Sequence, residues 1–138
     1  ALACQLFVAL AEEGWTDGEV ADAAIRSYLA PLFERRSGAA AATTVARPDV
    51  LVLGCTHFPV LRESLARFLG GAVTIVDSAV TTAADVASQL AGAALLRDEG
   101  PRGAITLLAT DGVERFARVG ARFLGEPIVA ADVSLIDL

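Results

Sequence analysis

Short apolar runs alternate along this chain with longer stretches in which apolar residues recur every three or four positions. The longer stretches predict amphipathic helices, and the short runs between them predict buried strands. Helices are predicted at residues 6–13, 16–33, 61–69, 79–96 and 113–123, and strands at 50–53, 73–76, 105–108 and 133–136. This alternation is typical of βαβ units, so we predict an α/β fold with a mostly parallel sheet flanked by helices.

Residues that begin or end helices mark several of these borders. The sequence Thr-Asp-Gly-Glu at 16–19 fits a capping box, and the two glycines at 70–71 are expected to stop a helix. Pro31 is expected to kink or shorten the end of its helix. Asp77 follows a strand, and its expected role is to cap the next helix. Residues 37–48 are rich in Ala, Thr and Gly without an apolar period, which predicts an exposed loop.

The composition agrees with an aliphatic core. Of the 138 residues, 54% are hydrophobic but only 6% are aromatic, so Ala, Val and Leu must fill the interior. Such residues suit helices packed on a parallel sheet, and the length allows a single domain. The chain has no Met and opens in the middle of an apolar pattern, so we expect a fragment whose N-terminal part is absent.

Charge and residue counts argue against several classes of function. The net charge is −6 without a basic block, which disfavours a nucleic-acid surface, and no uncharged apolar run approaches the roughly 18 residues of a membrane span. All eleven basic residues are Arg, and a chain without Lys cannot hold pyridoxal phosphate as a Schiff base. One His and no paired Cys disfavour a zinc site. Two cysteines are expected to be reduced thiols in a cytosolic protein, although a single bridge stays open.

The sequence Gly-Cys-Thr-His-Phe-Pro at 54–59 directly follows the predicted strand 50–53 and is the main candidate site. Ligands of open α/β sheets bind outside the carboxyl ends of the strands. A thiol held there, near a helix N-terminus and two residues from an imidazole, has reasons to ionise. Cys55 is therefore a candidate catalytic thiol, and His57 a candidate proton donor or a group that tunes it. Thr56 offers a backbone N–H and a hydroxyl to a carboxylate.

Each of these candidates also has a purely structural interpretation. Cys55 can be a small buried hydrophobe, His57 a helix-start residue bonded to a carbonyl, and Thr56 an ordinary residue at a helix entry. Glu12 and Glu13 end the first predicted helix, where solvated acids are the usual case.

Residues 54–59 resemble the second catalytic-cysteine motif of the glutamate racemases, which reads Gly-Cys-Thr-His-Tyr/Phe-Pro. The sequence Ala-Cys-Gln-Leu-Phe-Val at 3–8 is similar to the family's Ala-Cys-Pro-Leu-Phe-Val, with Gln5 in place of Pro. Val-Asp-Ser-Ala at 76–79 also looks like a family segment. The resemblance covers nearly the whole chain, with residues 37–47 as an insertion.

The resemblance implies a cofactor-independent racemase that exchanges the α-proton of glutamate between two cysteines on opposite faces of the α-carbon. It implies that Cys55 is one of the pair, that His57 assists Cys55 and contacts the substrate, and that Thr56 contacts the substrate carboxylate. Glu12 aligns with an acid that the family places near the site. The implied role is the supply of D-glutamate for peptidoglycan in the bacterial cytoplasm, without nucleic-acid or membrane partners and with a homodimer left open.

The sequence departs from the family in what it lacks. The Ala-Cys-Asn-Thr-Ala-like motif of the first catalytic cysteine is absent, and Cys4 matches a stretch that is not catalytic. The resemblance therefore implies the C-terminal half of a two-lobed, pseudo-symmetric protein. Residues 1–77 would form most of the second lobe, and residues 78–138 would return to the first. A related aspartate-type racemase and a non-catalytic fragment or binding module stay open as alternatives.

Overall fold

A computed structural model describes residues 1–33, 47–97, 100–101 and 103–137. The predicted exposed loop at 37–48 lies almost entirely outside these ranges. Two 3-10 helices span Phe58–Leu61 and Ala130–Asp132. Within the described ranges, no helix is both long and apolar enough to cross a bilayer. The other elements are α1 (Gln5–Glu13), α2 (Gly18–Phe33), β1 (Val50–Leu53), α3 (Arg62–Leu69), β2 (Thr74–Asp77), α4 (Ser78–Gly92), β3 (Leu107–Ala109), α5 (Val113–Leu124) and β4 (Val133–Leu135).

The strands pair in parallel, in two separate ladders. β1 pairs with β2 so that Leu53 lies opposite Asp77, and β3 pairs with β4 so that Ala109 lies opposite Leu135. β2 ends one residue later than predicted, because its ladder with β1 extends to Asp77. Parallel pairing requires a crossover connection, and α3 and α5 lie in these connections. The predicted α/β class with parallel strands and helices is confirmed.

The chain forms two compact units, residues 1–84 and 85–138, and the division falls within α4. The first unit holds α1, α2, α3 and the β1–β2 ladder. Its core is built from one face of each helix, with Ile25, Leu61 and Leu65 fully shielded from water. The three- and four-residue spacing of apolar positions therefore predicted the buried face of α3, and most of the buried face of α2, although Leu32 at the end of α2 is 48% exposed.

The second unit has a much smaller core. Among its described residues, those that are buried are Ala109 on β3, Ala117 on α5 and Val133 on β4. α4, which spans the division between the units, contributes no buried residue. Small side chains and few buried positions bury little apolar area, so this unit gains less from the hydrophobic effect than the first.

Other predicted borders also differ from the structure. α3 begins at Arg62 because a 3-10 helix precedes it, and Pro59 suits the first turn of that helix since no N–H is needed there. α4 ends at Gly92, before the predicted 96, and Ala94 just beyond it takes a positive φ of 55°. β3 begins at Leu107, not at 105, because its partner β4 is equally short.

Candidate active site

The segment 54–59 leaves the carboxyl end of β1 and turns at once into a 3-10 helix. The N–H of Phe58 donates to the carbonyl oxygen of Cys55 at 3.2 Å, which closes a tight turn around Thr56 and His57. Cys55 is half-buried in this turn, and Thr56 is exposed. The turn therefore presents three functional groups at the edge of the sheet where ligands of α/β proteins bind.

A line of polar contacts joins Cys55 to the end of α1. Cys55 Sγ lies 3.9 Å from Nδ1 of His57, and Nε2 of the same ring lies 2.7 Å from Oε1 of Glu12. The side chains of His57 and Glu12 are 28% and 26% exposed, so the bond is only partly open to solvent. The motif itself placed His57 at the site and only the resemblance placed Glu12 there, and the structure brings the two side chains into direct contact.

This geometry selects one tautomer of the imidazole. A carboxylate can only accept a hydrogen bond, so Glu12 fixes the proton on Nε2 of neutral His57. The lone pair of Nδ1 then faces the thiol of Cys55. His57 can accept the thiol proton and become an imidazolium that Glu12 stabilises, and it can return that proton later. The arrangement is suited to a thiol that changes its protonation state during a reaction.

Aromatic packing holds α1 against the turn. The ring of Phe7 on α1 meets Phe58 edge-on, with ring centroids 5.5 Å apart, and meets Tyr28 of α2 in the same way at 5.2 Å. Such edge-to-face pairs stabilise by about 0.5–1.5 kcal/mol beyond their area burial. α1 ends at Gly14, which takes the left-handed conformation with φ of 76°. The chain can therefore turn away from the helix axis directly after Glu12 and Glu13.

An ion pair joins the start of α3 to the end of β2. Arg62, the first residue of α3, contacts the buried carboxylate of Asp77 and donates to the carbonyl oxygen of Ile75 at 3.2 Å. Oδ1 of Asp77 also accepts the N–H of Val80 at 2.9 Å, so the prediction that Asp77 caps α4 is confirmed. Arg62 was not among the residues predicted from the sequence. A cation at a helix N-terminus runs against the helix dipole, and that is the signal that could have drawn attention to it.

The second cysteine has a different environment. Cys4 is buried in the core, where it precedes α1, and no disulfide involves it. Burial raises the pKa of the Cys4 thiol above its ordinary value of 9.0, because the thiolate would lose its solvation. Cys4 is therefore a structural thiol. The described part of the chain also holds no group of three or more His, Cys, Asp or Glu side chains placed to bind a metal.

These observations define an α/β protein in which a half-buried thiol, an imidazole and a carboxylate meet near the carboxyl ends of parallel strands. Comparison with known proteins names a more particular class: the chain is similar to glutamate racemases. No protein-family model matches it. The glutamate racemase of Geobacter metallireducens is 46% identical over 123 residues, which cover 89% of this chain and 42% of that protein. The glutamate racemase of Parafrankia is 39% identical over 134 residues, or 96% of this chain and 45% of that protein.

Solved structures give the same result for the fold. A glutamate racemase from Thermus thermophilus, in complex with β-chloro-D-alanine, matches all of this chain and 47% of its own length, with a TM-score of 0.75 and 38% identity. One from Francisella tularensis, in complex with D-glutamate, matches 97% of this chain and 45% of its own length, with a TM-score of 0.70 and 25% identity. The chain spans about half the length of the curated relatives it matches. In sequence and in fold, the chain resembles about half of a glutamate racemase, as the motifs predicted.

Proposed function

We propose that this chain is the C-terminal portion of a glutamate racemase that interconverts L- and D-glutamate without a cofactor. The observation that carries the proposal is the line Cys55–His57–Glu12 at the carboxyl edge of β1, with distances of 3.9 Å and 2.7 Å. The similarity to glutamate racemases of Geobacter metallireducens and Thermus thermophilus supports the same function.

In this proposal Cys55 is one of two groups that exchange the α-proton. As a thiolate it removes the proton from one enantiomer, and as a thiol it returns a proton to the carbanionic intermediate formed from the other. The second group acts on the opposite face of the α-carbon and comes from outside this chain, because Cys4 is buried in the core. Nδ1 of His57 takes up and returns the thiol proton of Cys55, and Glu12 holds the imidazole in the required tautomer.

Thr56 is proposed to bind a carboxylate of the substrate. Its side chain is exposed, between Cys55 and His57, where the turn before the 3-10 helix leaves backbone N–H groups at a helix start. A hydroxyl and an N–H at this position would hold an anionic group next to the thiol. His57 adds a ring that is positively charged whenever it carries the proton of Cys55, which favours a dicarboxylate such as glutamate.

The cellular role and the lobe assignment belong to the same proposal. A bacterial glutamate racemase in the cytoplasm would supply D-glutamate for peptidoglycan. Residues 1–77 are proposed as most of one lobe, and residues 78–138 as a segment that returns to the other. The division of the chain into compact units within α4, close to this border, supports the assignment.

The test is α-proton exchange by the complete protein that carries this chain, in D₂O, with L-glutamate, D-glutamate and L-aspartate as separate substrates. We expect the α-proton signal of both glutamate enantiomers to disappear while the opposite enantiomer forms. Cys55→Ser should lower this rate by about 10²- to 10⁴-fold, because a serine hydroxyl is a far weaker acid and a poor base near neutral pH. Cys4→Ala is the matched control and should racemise at close to the wild-type rate.

The outcomes separate the competing functions. Exchange of aspartate alone would identify an aspartate-type racemase. No exchange with any of the three amino acids would favour a binding module. Racemisation by Cys55→Ser within a few-fold of the wild type would remove Cys55 from the mechanism.

A further inference from the structure

We infer that Asp77, through its ion pair with Arg62, is a positioning residue that sets the distance between Cys55 and His57. Neither residue belongs to the line of contacts at the site. The kinetic consequence of the inference rests on the proposed racemase function, but the geometric consequence does not.

The argument begins with where Asp77 lies relative to the turn. The turn and its 3-10 helix, residues 54–61, run from the end of β1 to the start of α3. Leu53, before the turn, is the ladder partner of Asp77. Arg62, directly after it, forms the ion pair with the same Asp77. One residue of β2 therefore anchors both ends of the segment that carries Cys55, Thr56 and His57.

The contacts of Asp77 restrict the movement of its side chain. The side chain of Asp77 is 1% exposed, and both of its oxygens are engaged, Oδ2 by Arg62 and Oδ1 by the N–H of Val80 at 2.9 Å. Arg62 is held a second time by the carbonyl oxygen of Ile75 at 3.2 Å. A carboxylate engaged at both oxygens cannot rotate without breaking a bond, and a buried charge that loses its partner is strongly unfavourable.

The site has one contact that such an anchor would control. His57 is held from the side of α1, by the 2.7 Å bond to Glu12. Cys55 follows the end of β1, so its position depends on the other side of the turn. The separation between Cys55 Sγ and His57 Nδ1, 3.9 Å, is already at the long end for a hydrogen bond to sulfur. A small displacement of either end of the turn therefore breaks this contact before it breaks any other.

The experiment compares Asp77→Asn and Arg62→Gln with Asp22→Asn in the complete protein. Asparagine at 77 still offers an oxygen to the N–H of Val80 but loses the charge that holds Arg62. Asp22 is the matched control, since it pairs with Arg67 at 3.5 Å and both side chains are about half exposed. The readout is the rate at which iodoacetamide alkylates Cys55 near neutral pH, measured by mass spectrometry of the peptide that contains Cys55. Circular dichroism establishes that each variant is folded.

We expect alkylation of Cys55 to slow by about tenfold in Asp77→Asn and in Arg62→Gln, because the thiolate is the nucleophile and His57 no longer accepts the thiol proton. Asp22→Asn should react at the wild-type rate. Where the wild type racemises glutamate, kcat of both variants should fall by about 10- to 100-fold with KM nearly unchanged, as a displaced catalytic group predicts.

Either of two results would overturn the inference. One is alkylation within about twofold of the wild type in the folded variants. The other is faster labelling of Cys55 and Cys4 together, which a general loosening of the unit produces. Should Arg62→Gln fail to fold, because it leaves the buried carboxylate of Asp77 without its cation, Asp77→Asn decides alone, since Arg62 is partly exposed and the amide oxygen at 77 can still accept the N–H of Val80. A wild type without racemase activity would refute the proposed function, while the alkylation rates would still decide the positioning role.

Discussion

At the scale of single residues, Glu12 and Glu13 show that local sequence pattern cannot predict a contact between distant parts of the chain. Both acids end the same predicted helix, and neighbouring positions on a helix point about 100° apart. Which of them meets the imidazole depends on how α1 packs against a turn far along the chain. The bond from Glu12 to His57 joins residues that are 45 positions apart. Local pattern carries no information about such a contact, and the resemblance alone pointed to Glu12.

The two acids give a direct test of this contact. Glu12→Gln replaces the carboxylate with an amide that no longer stabilises the imidazolium, and we expect kcat for glutamate racemisation by the complete protein to fall by about 10- to 100-fold. Glu13→Gln changes the neighbouring acid in the same way and should keep kcat within about twofold of the wild type. Equal losses in the two variants would show that net negative charge near α1, and not the bond to His57, is what matters.

Cys4 predicts a pH dependence of stability. Its pKa is raised by burial, so the unfolded chain releases this proton near the ordinary value of 9.0 and the folded chain only at higher pH. Between these values the unfolded state binds fewer protons, and the free energy of unfolding falls as the pH rises. The contribution is fully present below the ordinary value and is lost above it. Urea unfolding at pH 7 and pH 10 should therefore show a larger loss for the wild type than for Cys4→Ala. The same loss in both proteins would contradict the prediction.

At the scale of elements, the sequence predicts what short apolar runs and helical spacing determine, and it fails where tertiary pairing decides. The bounds of β1 are correct because the run Val-Leu-Val-Leu ends at Gly54. The borders of the other three strands differ from the prediction because a strand is only as long as the partner it pairs with, and the partner is not visible in the strand's own residues. α4 ends before the predicted 96, where Ala94 takes a positive φ of 55°, and Leu95 and Leu96 beyond it are exposed. Helix packing, more than propensity, sets where most helices end.

α3 offers a prediction at this scale. Leu65 is fully buried in the core where α3 packs against α2, so Leu65→Ala should lower the free energy of unfolding by about 2–5 kcal/mol through lost burial and the cavity it leaves. The control is Leu32→Ala on α2, where the leucine is 48% exposed, and the expected change is below about 0.5 kcal/mol. Urea denaturation followed by tryptophan fluorescence measures both variants. Similar values for the two would mean that the face of α3 is wrongly assigned.

At the scale of the whole molecule, the two compact units differ in how much apolar surface they bury, and no pattern in the sequence foretold it. The second unit repeats the same alternation of helices and strands, yet large residues such as Ile105, Leu108 and Leu135 are exposed there. Periodicity shows which face of an element is apolar. It does not show whether another element lies over that face.

We predict that the 138-residue chain expressed by itself does not racemise glutamate. Removal and return of a proton on opposite faces need two groups, and of the two cysteines only Cys55 lies at the site, since Cys4 is buried. The exposed apolar residues of the second unit should also favour self-association. The measurement is α-proton exchange of L-glutamate in D₂O, beside a size-exclusion profile. A compact monomer that forms D-glutamate would refute both the two-group mechanism and the proposal that the chain is part of a longer racemase.

The site is nearly contiguous: three of its residues are neighbours in one turn, and only Glu12 arrives from elsewhere. A single loop closure, between the end of α1 and the turn, therefore assembles the part of the site that this chain supplies. The entropy of such a closure grows only with the logarithm of the loop length, by about 0.6 kcal/mol for each doubling. The connection between α2 and β1 lies within this closure. On the same estimate, a change of a few residues in its length would cost well under about 1 kcal/mol of closure free energy and would leave the residues that carry the chemistry at Cys55 unchanged.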